Sequence, residues 1–413
     1  MKKVINIAVV GLGNVGAYLL NELNKKKKEI ENKTGRKINV EAISAKNINK
    51  KRKFKINKKI FYKNPLNIIN QKKIDILFEL IGQSDGISKK IVEKSLKSKI
   101  HVITANKSLI SKHGEYLALL AEKNKVNLEF EASVAGGIPI LRTIKDGLAT
   151  NKITKVVGIL NGTSNYILTE MERTNKNFSD VLKKAQFLGY AEPNPKFDLN
   201  GNDVLSKIKI LSSLSFNKKI SKFKNLMSGI DNIELKDIKM ANELGMKIKL
   251  LGITEIINGK LFERVHPCLV KKENYIANIN GVMNAVILNG VPVGESVLQG
   301  EGAGPGPTSS SLMSDLLSIL RGNIKYPFGI SYKNRNKINS YDINKYSNSL
   351  YIRLEVYDKP GVLSQITKNL TKYKISIERI IQIPEHKKKT ASIIIITHKT
   401  NELNSNKCLK SFK

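Results

Sequence analysis

The sequence has little that would cross-link the chain or hold it in a membrane. Its two cysteines, Cys268 and Cys408, lie in unrelated contexts without zinc-site spacing, so neither a disulfide framework nor a structural metal is expected. No stretch approaches the roughly twenty apolar residues of a membrane span. Residues 4–20 are apolar but are broken by three glycines and lack a small-residue cleavage site, which argues against a signal peptide. We therefore expect a cytoplasmic protein.

Acidic residues are scarce beside basic ones. There are 35 Asp and Glu against 71 Lys and Arg, a formal charge of +36, which would favour nucleic acid or an anionic membrane as partner. The lysines are spread along the whole chain among Asn and Ile, without an RNA-binding motif or a basic heptad region. We interpret the charge as compositional bias and expect neither nucleic acid nor membrane. A regulatory or nucleic-acid-binding protein on a nucleotide-binding fold stays open as an alternative.

A glycine-rich turn near the start indicates a nucleotide site. The apolar strand-like run VINIAVV (4–10) is followed at once by GLGNVG (11–16) and a helical pattern. In this context Gly11 permits a tight turn, Gly13 lets the backbone approach a pyrophosphate, and Gly16 lets helix and strand pack closely. Three later segments read as further strands of the series: 72–82, 98–110 and 126–137. The pattern predicts a doubly wound parallel sheet of Rossmann type that binds a dinucleotide.

The end of the second predicted strand bears on the choice of dinucleotide. NAD-selective folds place an acid there for the ribose hydroxyls, but INVEAIS (38–44) has only Glu41, inside the strand and too early. Four cations follow it: Lys46, Lys50, Lys51 and Arg52. A missing acid beside cations favours a 2′-phosphate, so NADP is slightly favoured over NAD. A solvated loop in a lysine-rich chain explains the same cations almost as well.

After Gly137 the pattern changes to longer helices and to strands of a separate, mixed sheet, an α+β arrangement. We predict four regions: a dinucleotide-binding domain at 1–135, to which a helix at 307–322 returns; a catalytic and dimerisation domain at 136–306; a polar linker at 331–348; and a C-terminal module at 349–413.

One passage of the second domain, AEPNPKFDLNGNDVLSK (191–207), gathers acids around two prolines and a glycine. If a helix begins at its end, Asp203 and Lys207 share one face. An ordinary surface ion pair, worth roughly 0.3–0.5 kcal/mol, is the alternative. Glu192 and Asp198 crowd the same turn, where acids without a ligand would repel, so we favour a substrate site.

Together these segments resemble the homoserine dehydrogenase family, in its monofunctional form with a C-terminal ACT module. The resemblance covers the chain to about residue 397 and is most specific in six segments: GLGNVG (11–16), TANKSLISKHG (104–114), FEASVAGGIPI (130–140), GILNGTSNYILTEM (158–171), AQFLGYAEPNPKFDLNGNDVLSK (185–207) and EGAGPGPTSS (301–310).

The resemblance implies a role for each matching residue. Lys207 matches the proton-transferring lysine, Asp203 its neighbour in the substrate site, and Lys107 a second active-site lysine. Glu192 would bind the substrate amino group, and Asp198 is counted with the substrate residues. The implied dinucleotide contacts are Gly11, Gly13, Asn14, Val15, Gly16, Thr104, Lys107, Gly189 and Gly302. A monovalent cation, usually sodium in the family, would bind at Glu131 and at the carbonyls of Val134, Gly136 and Ile138.

The implied activity is the NAD(P)-dependent interconversion of L-homoserine and L-aspartate 4-semialdehyde, on the route from aspartate to threonine, methionine and isoleucine. A dehydrogenase for another small hydroxy or aldehyde acid is the rival, against which Glu192 argues. A homodimer or higher oligomer is implied. One departure is Asn194, where the family usually has an acid; we expect altered loop packing rather than lost chemistry.

The C-terminal module reads as strand, Asp-Lys-Pro-Gly turn, helix and strand, like the start of an ACT domain. Because the sequence stops inside what should be the second helix of a βαββαβ unit, we expect a truncated, partly ferredoxin-like module with an open sheet edge. In the family this module often senses threonine, so threonine is a possible allosteric ligand.

Overall fold

The structure is a computed structural model that describes residues 3–49, 57–223, 226–385 and 389–412. The chain divides into two compact units, Met1–Asn339 and Ser340–Lys413. The predicted linker at 331–348 is therefore shared between them. No helix in the described ranges is long and apolar enough to cross a membrane.

The strands are β1 Val4–Val10, β2 Lys37–Ser44, β3 Phe61–Tyr62, β4 Ile76–Glu79, β5 His101–Thr104, β6 Leu128–Glu129, β7 Lys152–Ile159, β8 Leu226–Met227, β9 Met246–Ile257, β10 Lys260–Lys271, β11 Met283–Val291, β12 Gly294–Glu301, β13 Ser347–Asn348, β14 Tyr351–Tyr357, β15 Ile377–Glu385, β16 Thr390–Thr397 and β17 Thr400–Asn401.

The helices are α1 Asn14–Lys25, α2 Lys27–Thr34, α3 Leu66–Gln71, α4 Ile87–Lys97, α5 Lys107–Asn124, α6 Ile140–Arg142, α7 Gly162–Thr174, α8 Phe178–Phe187, α9 Lys196–Leu199, α10 Asn202–Ser215, α11 Leu235–Glu243, α12 Pro305–Leu320, α13 Val362–Lys372 and α14 Glu402–Ser411.

The first sheet confirms the predicted doubly wound architecture. Its six strands run parallel in the order β3-β2-β1-β4-β5-β6. The strand order reverses beside β1, between β1 and β4, and ligands of such sheets bind outside the carboxyl ends of the strands at that point. The central strands are buried on both faces, as their continuous apolar sequences predict.

The second sheet is mixed, as predicted. Its order is β12-β11-β7-β9-β10-β8, and its pairs are antiparallel except for β10 with β8. Helices α7 and α10 cover one face, where their apolar side chains join the largest core of the molecule. The two helices begin close together. Lys207 of α10 donates both to the carbonyl of Leu160, which lies just before α7, and to Asp203 in the first turn of α10.

Helix α12 follows the second sheet in sequence but packs on the first. Leu312, Leu316 and Ile319 share a core with Leu19 and Leu23 of α1. The chain therefore enters the second sheet after β6 and leaves it after β12.

The second unit contains a three-stranded antiparallel sheet in the order β14-β16-β15. The predicted turn at Asp358–Gly361 is present, with Gly361 at φ +89°, and α13 begins directly after it. Its core includes Ile352, Ile393 and Cys408. Among the described residues no fourth strand joins this sheet, and α14 is the last element.

Candidate active site

The glycine turn after β1 has the form that a dinucleotide requires. Gly11 adopts φ +102°, and a Cβ there would lie 2.4 Å from the Leu80 carbonyl oxygen. A Cβ on Gly16 would lie 2.0 Å from the Gly11 oxygen. Gly13, by contrast, is exposed and has open space around it, and Asn14 beside it is also exposed at the start of α1. The loop can therefore receive a phosphate at Gly13 and the helix N-terminus.

A buried network joins the carboxyl ends of β4 and β5. The Thr104 hydroxyl donates to Glu79 Oε2 at 2.7 Å and accepts from the Asn106 amide at 2.9 Å. Ser88 also donates to the Glu79 carboxylate. Asn106 caps α5 by accepting from the Leu109 amide at 3.0 Å. The Thr104 side chain is thus hydrogen-bonded within the protein. It fixes the start of α5 and hence the position of Lys107, the first residue of that helix.

Two lysines share one buried aspartate. Lys207 Nζ lies 2.8 Å from Asp203 Oδ2, and Lys107 Nζ lies 2.8 Å from Asp203 Oδ1. Asp203 is 1% exposed, and Lys207 also donates to the Leu160 carbonyl at 2.5 Å. This is not the ordinary surface pair that the i, i+4 spacing alone allowed, because a second lysine, almost a hundred positions away in sequence, completes it. The Asp203 carboxylate thus has one lysine amine on each of its two oxygens.

The environment drives the two lysines in opposite directions. Burial lowers the pKa of Lys207, with Asp203 opposing and Lys107 adding to the effect. Burial also acts to lower the pKa of Lys107, but the Asp203 carboxylate outweighs it and the pKa is raised. For Asp203, burial works to raise the pKa, yet the two ammonium groups hold it well below its usual range. Lys207 is therefore the lysine that gives up a proton more readily.

Asn161 links both carboxylates of the cluster. Its Nδ2 donates at 2.9 Å to Asp198 Oδ1 and at 2.9 Å to Asp203 Oδ2. Its Oδ1 accepts from the Ser164 amide at 2.8 Å and caps α7. Burial and the nearby Asp203 charge raise the pKa of Asp198. One amide thus fixes the start of α7 relative to two acids of the site.

The loop before α9 leaves several predicted residues open to solvent. Glu192 and Gly189 are exposed, and Gly189 has φ +77° with open space around it. Glu192 acts electrostatically on Lys107, which places its charge near the cluster. Asn194, the residue that departs from the family pattern, is exposed in the same loop. Glu192 and Gly189 are therefore accessible to a ligand.

Gly302 occupies a closely packed position where the chain leaves β12. A Cβ there would lie 2.0 Å from the Asn284 side chain, and a Cβ on Gly136 would lie 2.5 Å from the Gly302 carbonyl. Asn284 is buried, and neither atom of its amide has a hydrogen-bond partner in the part of the chain that the structure describes. An unpaired buried amide needs a partner, and a bound dinucleotide at Gly302 would bring polar groups near it.

The turn predicted to hold a cation has a different use for the Glu131 side chain. Its two carboxylate oxygens accept from the Leu141 and Arg142 amides, each at 2.8 Å, at the start of α6. The Gly136 carbonyl accepts from the Ser311 hydroxyl at 2.6 Å and the Ile138 carbonyl from the Ile140 amide at 2.8 Å. The oxygens of Glu131, Gly136 and Ile138 therefore already accept hydrogen bonds, and a monovalent cation here would be bound through their remaining lone pairs together with the Val134 carbonyl.

The cations proposed for a 2′-phosphate fall mostly outside the described residues. Lys50, Lys51 and Arg52 lie outside the described residues, whereas Lys46 is described and is exposed just beyond β2. Glu41 is engaged with Lys72, whose Nζ lies 2.8 Å from its Oε1. Glu41 is thus turned to an ion pair at the strand and is not at the end of β2.

The site defines an oxidoreductase: a dinucleotide-type loop and a buried lysine-aspartate-lysine cluster belong to one unit of the chain. The family model for homoserine dehydrogenase matches residues 139–317, that for the homoserine dehydrogenase NAD-binding domain matches 11–131, and that for the ACT domain matches 350–410.

Full-length relatives give the same answer. The homoserine dehydrogenase of Neisseria gonorrhoeae is 39% identical over 97% of this chain and 93% of its own length, and that of Bacillus subtilis is 34% identical over the same shares. The crystal structure of a homoserine dehydrogenase from Thiobacillus denitrificans superposes with a TM-score of 0.90 at 35% identity, covering 99% of this chain and 94% of that one. The chain belongs to the homoserine dehydrogenase family and is an oxidoreductase that acts on a CH–OH group.

Proposed function

We propose that the protein interconverts L-homoserine and L-aspartate 4-semialdehyde with NADP or NAD, in the synthesis of threonine, methionine and isoleucine from aspartate. The observation that carries this proposal is the buried Asp203 with Lys107 and Lys207 on its two oxygens. Oxidation of an alcohol to an aldehyde removes the proton of the hydroxyl and a hydride from the carbon that bears it. A desolvated lysine is suited to accept that proton.

Lys207 accepts the hydroxyl proton during oxidation and returns it during reduction. Its lowered pKa increases the fraction of neutral amine at alkaline pH. Asp203 orients the amine, and its charge prevents the pKa from falling further. When charged, the same lysine stabilises a developing alkoxide.

Lys107 stays protonated because Asp203 raises its pKa above the ordinary value. It supplies a fixed positive charge beside the substrate oxygen, and the capped start of α5 holds it in place. A dinucleotide held at this site would provide the nicotinamide that exchanges the hydride. Gly11, Gly13 and the N-terminus of α1 are the groups that would hold its phosphates.

Glu192 binds the substrate ammonium from the exposed loop, and Asp198 supports it from the cluster. A polar site that pairs with the amino group rejects hydroxy acids that lack one, because the carboxylate would be left without its partner. This selection favours homoserine over other small hydroxy acids.

NADP is slightly favoured over NAD because β2 ends without an acid and Lys46 follows it. A monovalent cation, sodium by resemblance, would bind at Glu131 and at the carbonyls of Val134, Gly136 and Ile138. The oligomer is a homodimer or larger, formed through the second sheet. Threonine is a possible ligand of the unit Ser340–Lys413, which matches the ACT domain.

The experiment is homoserine oxidation at alkaline pH with NADP and NAD in turn, for the parent chain and for Lys207→Met. We expect kcat to fall by about 10²–10⁴-fold in the variant, while dinucleotide affinity changes little. Lys209→Met, on the same helix but two positions on, is the matched control and should keep most of its activity.

No turnover of homoserine by the parent, with dinucleotide still bound, would show that the scaffold serves another substrate. Full activity in Lys207→Met would assign the proton to another group. Comparing kcat/KM for the two dinucleotides decides the cofactor preference.

A further inference from the structure

The segment that follows α12 inserts a fully buried arginine beside both helices that carry the active-site lysines. The Arg335 side chain has no exposed surface. Its Nη2 lies within hydrogen-bond distance of three acceptors, Glu115 Oε1 of α5 at 2.6 Å, Ser213 Oγ of α10 at 2.5 Å and the Lys218 carbonyl at 2.9 Å, which share its two N–H groups. One nitrogen therefore joins α5 to α10 and to the turn after it.

The rest of the segment follows the same path. Phe328 stacks under the guanidinium at 4.0 Å and packs on α5, where a Cβ on Gly114 would lie 3.0 Å from its ring. The Tyr332 amide donates to both oxygens of Glu122, at 3.0 Å each. The Asn336 carbonyl accepts from the Lys219 amide at 3.1 Å. These contacts attach the segment first to α5 and then to the chain just beyond α10.

The two clamped helices are those that meet at Asp203. Lys107 is the first residue of α5, and Glu115 lies eight residues later, about 12 Å along the helix axis. Lys207 lies six residues before Ser213, about 9 Å along α10. Because a helix transmits rotation along its length, the angle between α5 and α10 at Arg335 sets the distance between their lysines at the other end.

Stability alone is a poor reason for this arginine. Burying a charged pair costs desolvation energy that apolar residues of similar volume would avoid. For Arg335 this desolvation cost is only partly offset. Its Nε and Nη1 and the second oxygen of Glu115 have no hydrogen-bond partner among the described residues. What the ion pair provides and an apolar contact would not is a directional link among three separate segments.

We propose that Arg335 is a positioning residue for the dehydrogenase reaction, which holds α5 and α10 at the angle that places Lys107 and Lys207 on Asp203. This inference rests on the proposed roles of those lysines.

The test compares Arg335→Met, which keeps the apolar stem over Phe328, with Arg335→Lys, which keeps a positive charge. Steady-state kcat and KM for homoserine, the pH profile of kcat, dinucleotide affinity and thermal unfolding are measured well below each unfolding midpoint. We expect kcat of Arg335→Met to fall about tenfold or more with dinucleotide affinity within about twofold. The pH midpoint of kcat should shift, and Arg335→Lys should recover part of both effects.

Arg353→Met is the matched control, because Arg353 forms a 2.7 Å pair with Glu355 in the other unit. Its kcat and pH profile should equal those of the parent. A folded Arg335→Met with the parent's kcat and pH midpoint, or an equal loss in Arg353→Met, overturns the proposal.

If Arg335→Met does not fold, Glu115→Gln decides. This variant keeps the shape of the acid and removes the charge that Arg335 faces. A lowered kcat with a shifted pH midpoint supports the proposal, and an unchanged kcat with an unchanged pH midpoint refutes it. Failure of the proposed function itself is recognised separately, since the parent would then not oxidise homoserine or Lys207→Met would remain active.

Discussion

At the residue scale, Asp203 sets the charge state of the proton-transferring lysine. Its carboxylate raises the pKa of Lys207 against the lowering by burial. In Asp203→Asn that support is lost, so the pKa of Lys207 falls further and the neutral amine forms at lower pH. We expect the pH midpoint for homoserine oxidation to move to lower pH, and kcat to fall about 100-fold because both lysines lose their common anchor.

The pH profile of kcat for oxidation is the measurement. Asp198→Asn is the control, because Asp198 bonds Asn161 and neither lysine. Its pH midpoint should shift much less. A midpoint in Asp203→Asn that stays in place or moves to higher pH contradicts the assignment of Lys207 as the titrating group.

Lys249 is a second buried lysine, away from the cluster, and it gives a stability prediction. Its Nζ donates to Ile279 O at 2.5 Å, Asn165 Oδ1 at 3.2 Å and Asn280 Oδ1 at 3.3 Å, which are all neutral acceptors. Burial, with a smaller contribution from Lys247, lowers its pKa from 10.5 to about 8. Below pH 8 folded and unfolded chains both hold the proton, so this lysine adds no pH dependence there.

Between pH 8 and 10.5 only the unfolded chain keeps the Lys249 proton, so the contribution of Lys249 to the free energy of unfolding rises with pH. The gain approaches about 3 kcal/mol at the upper end. Urea unfolding of the parent and of Lys249→Met at several pH values measures it. The parent should gain stability relative to the variant as pH rises; a constant difference contradicts the lowered pKa.

At the scale of elements, the start of α7 is tied to the active site by Asn161. Asn161→Ala removes the cap, which costs about 1 kcal/mol, and also removes the donor shared by Asp198 and Asp203. We expect a lower unfolding midpoint together with a changed KM for homoserine. Asn401→Ala, which removes the cap of α14 at the Asn404 amide, should lower stability without changing KM. An unchanged KM in Asn161→Ala would limit this residue to capping.

Local sequence patterns predicted those helices, strands and turns whose formation depends on residues only a few positions apart. The glycine turn, the strands of the first sheet and the i, i+4 pair of Asp203 and Lys207 all follow from spacing within a few residues. Family resemblance implied that Lys107 belongs to the active site, but its ion pair with Asp203 was not predicted, because the two residues are far apart in sequence. Asn161 stands between a strand and a helix, so its capping role could have been predicted; its bond to Asp203 could not.

Glu79 and Arg335 show the other limit of the sequence. Both are charged residues, which are ordinarily expected at the surface. Each is buried with a partner that is distant in sequence: Glu79 accepts a hydrogen bond from Thr104, and Arg335 forms an ion pair with Glu115. Residues near Arg335 read as a polar linker, since nothing local reveals Glu115 over two hundred positions earlier. Folding, rather than local propensity, determines which charges are enclosed.

At the scale of the whole molecule, the end of the first unit defines a clean test of threonine regulation. A chain that ends at Asn339 keeps Arg335 and removes the unit that matches the ACT domain. We expect threonine to lower homoserine oxidation by the full chain and to leave the shortened chain unaffected. Activity of the shortened chain without threonine is the control. Equal insensitivity of both chains contradicts a threonine-sensing role.

The close approach of Gly136 and Gly302 has a mechanical consequence. The chain passes from the first sheet to the second near Gly136 and returns near Gly302, and the two passages touch where an added Cβ on Gly136 would lie 2.5 Å from the other backbone. The contact leaves no room for a side chain at Gly136, so any larger residue there would push the two passages apart. That displacement would fall beside the predicted dinucleotide contact at Gly302, so the size of the residue at 136 bears on the shape of the cofactor site.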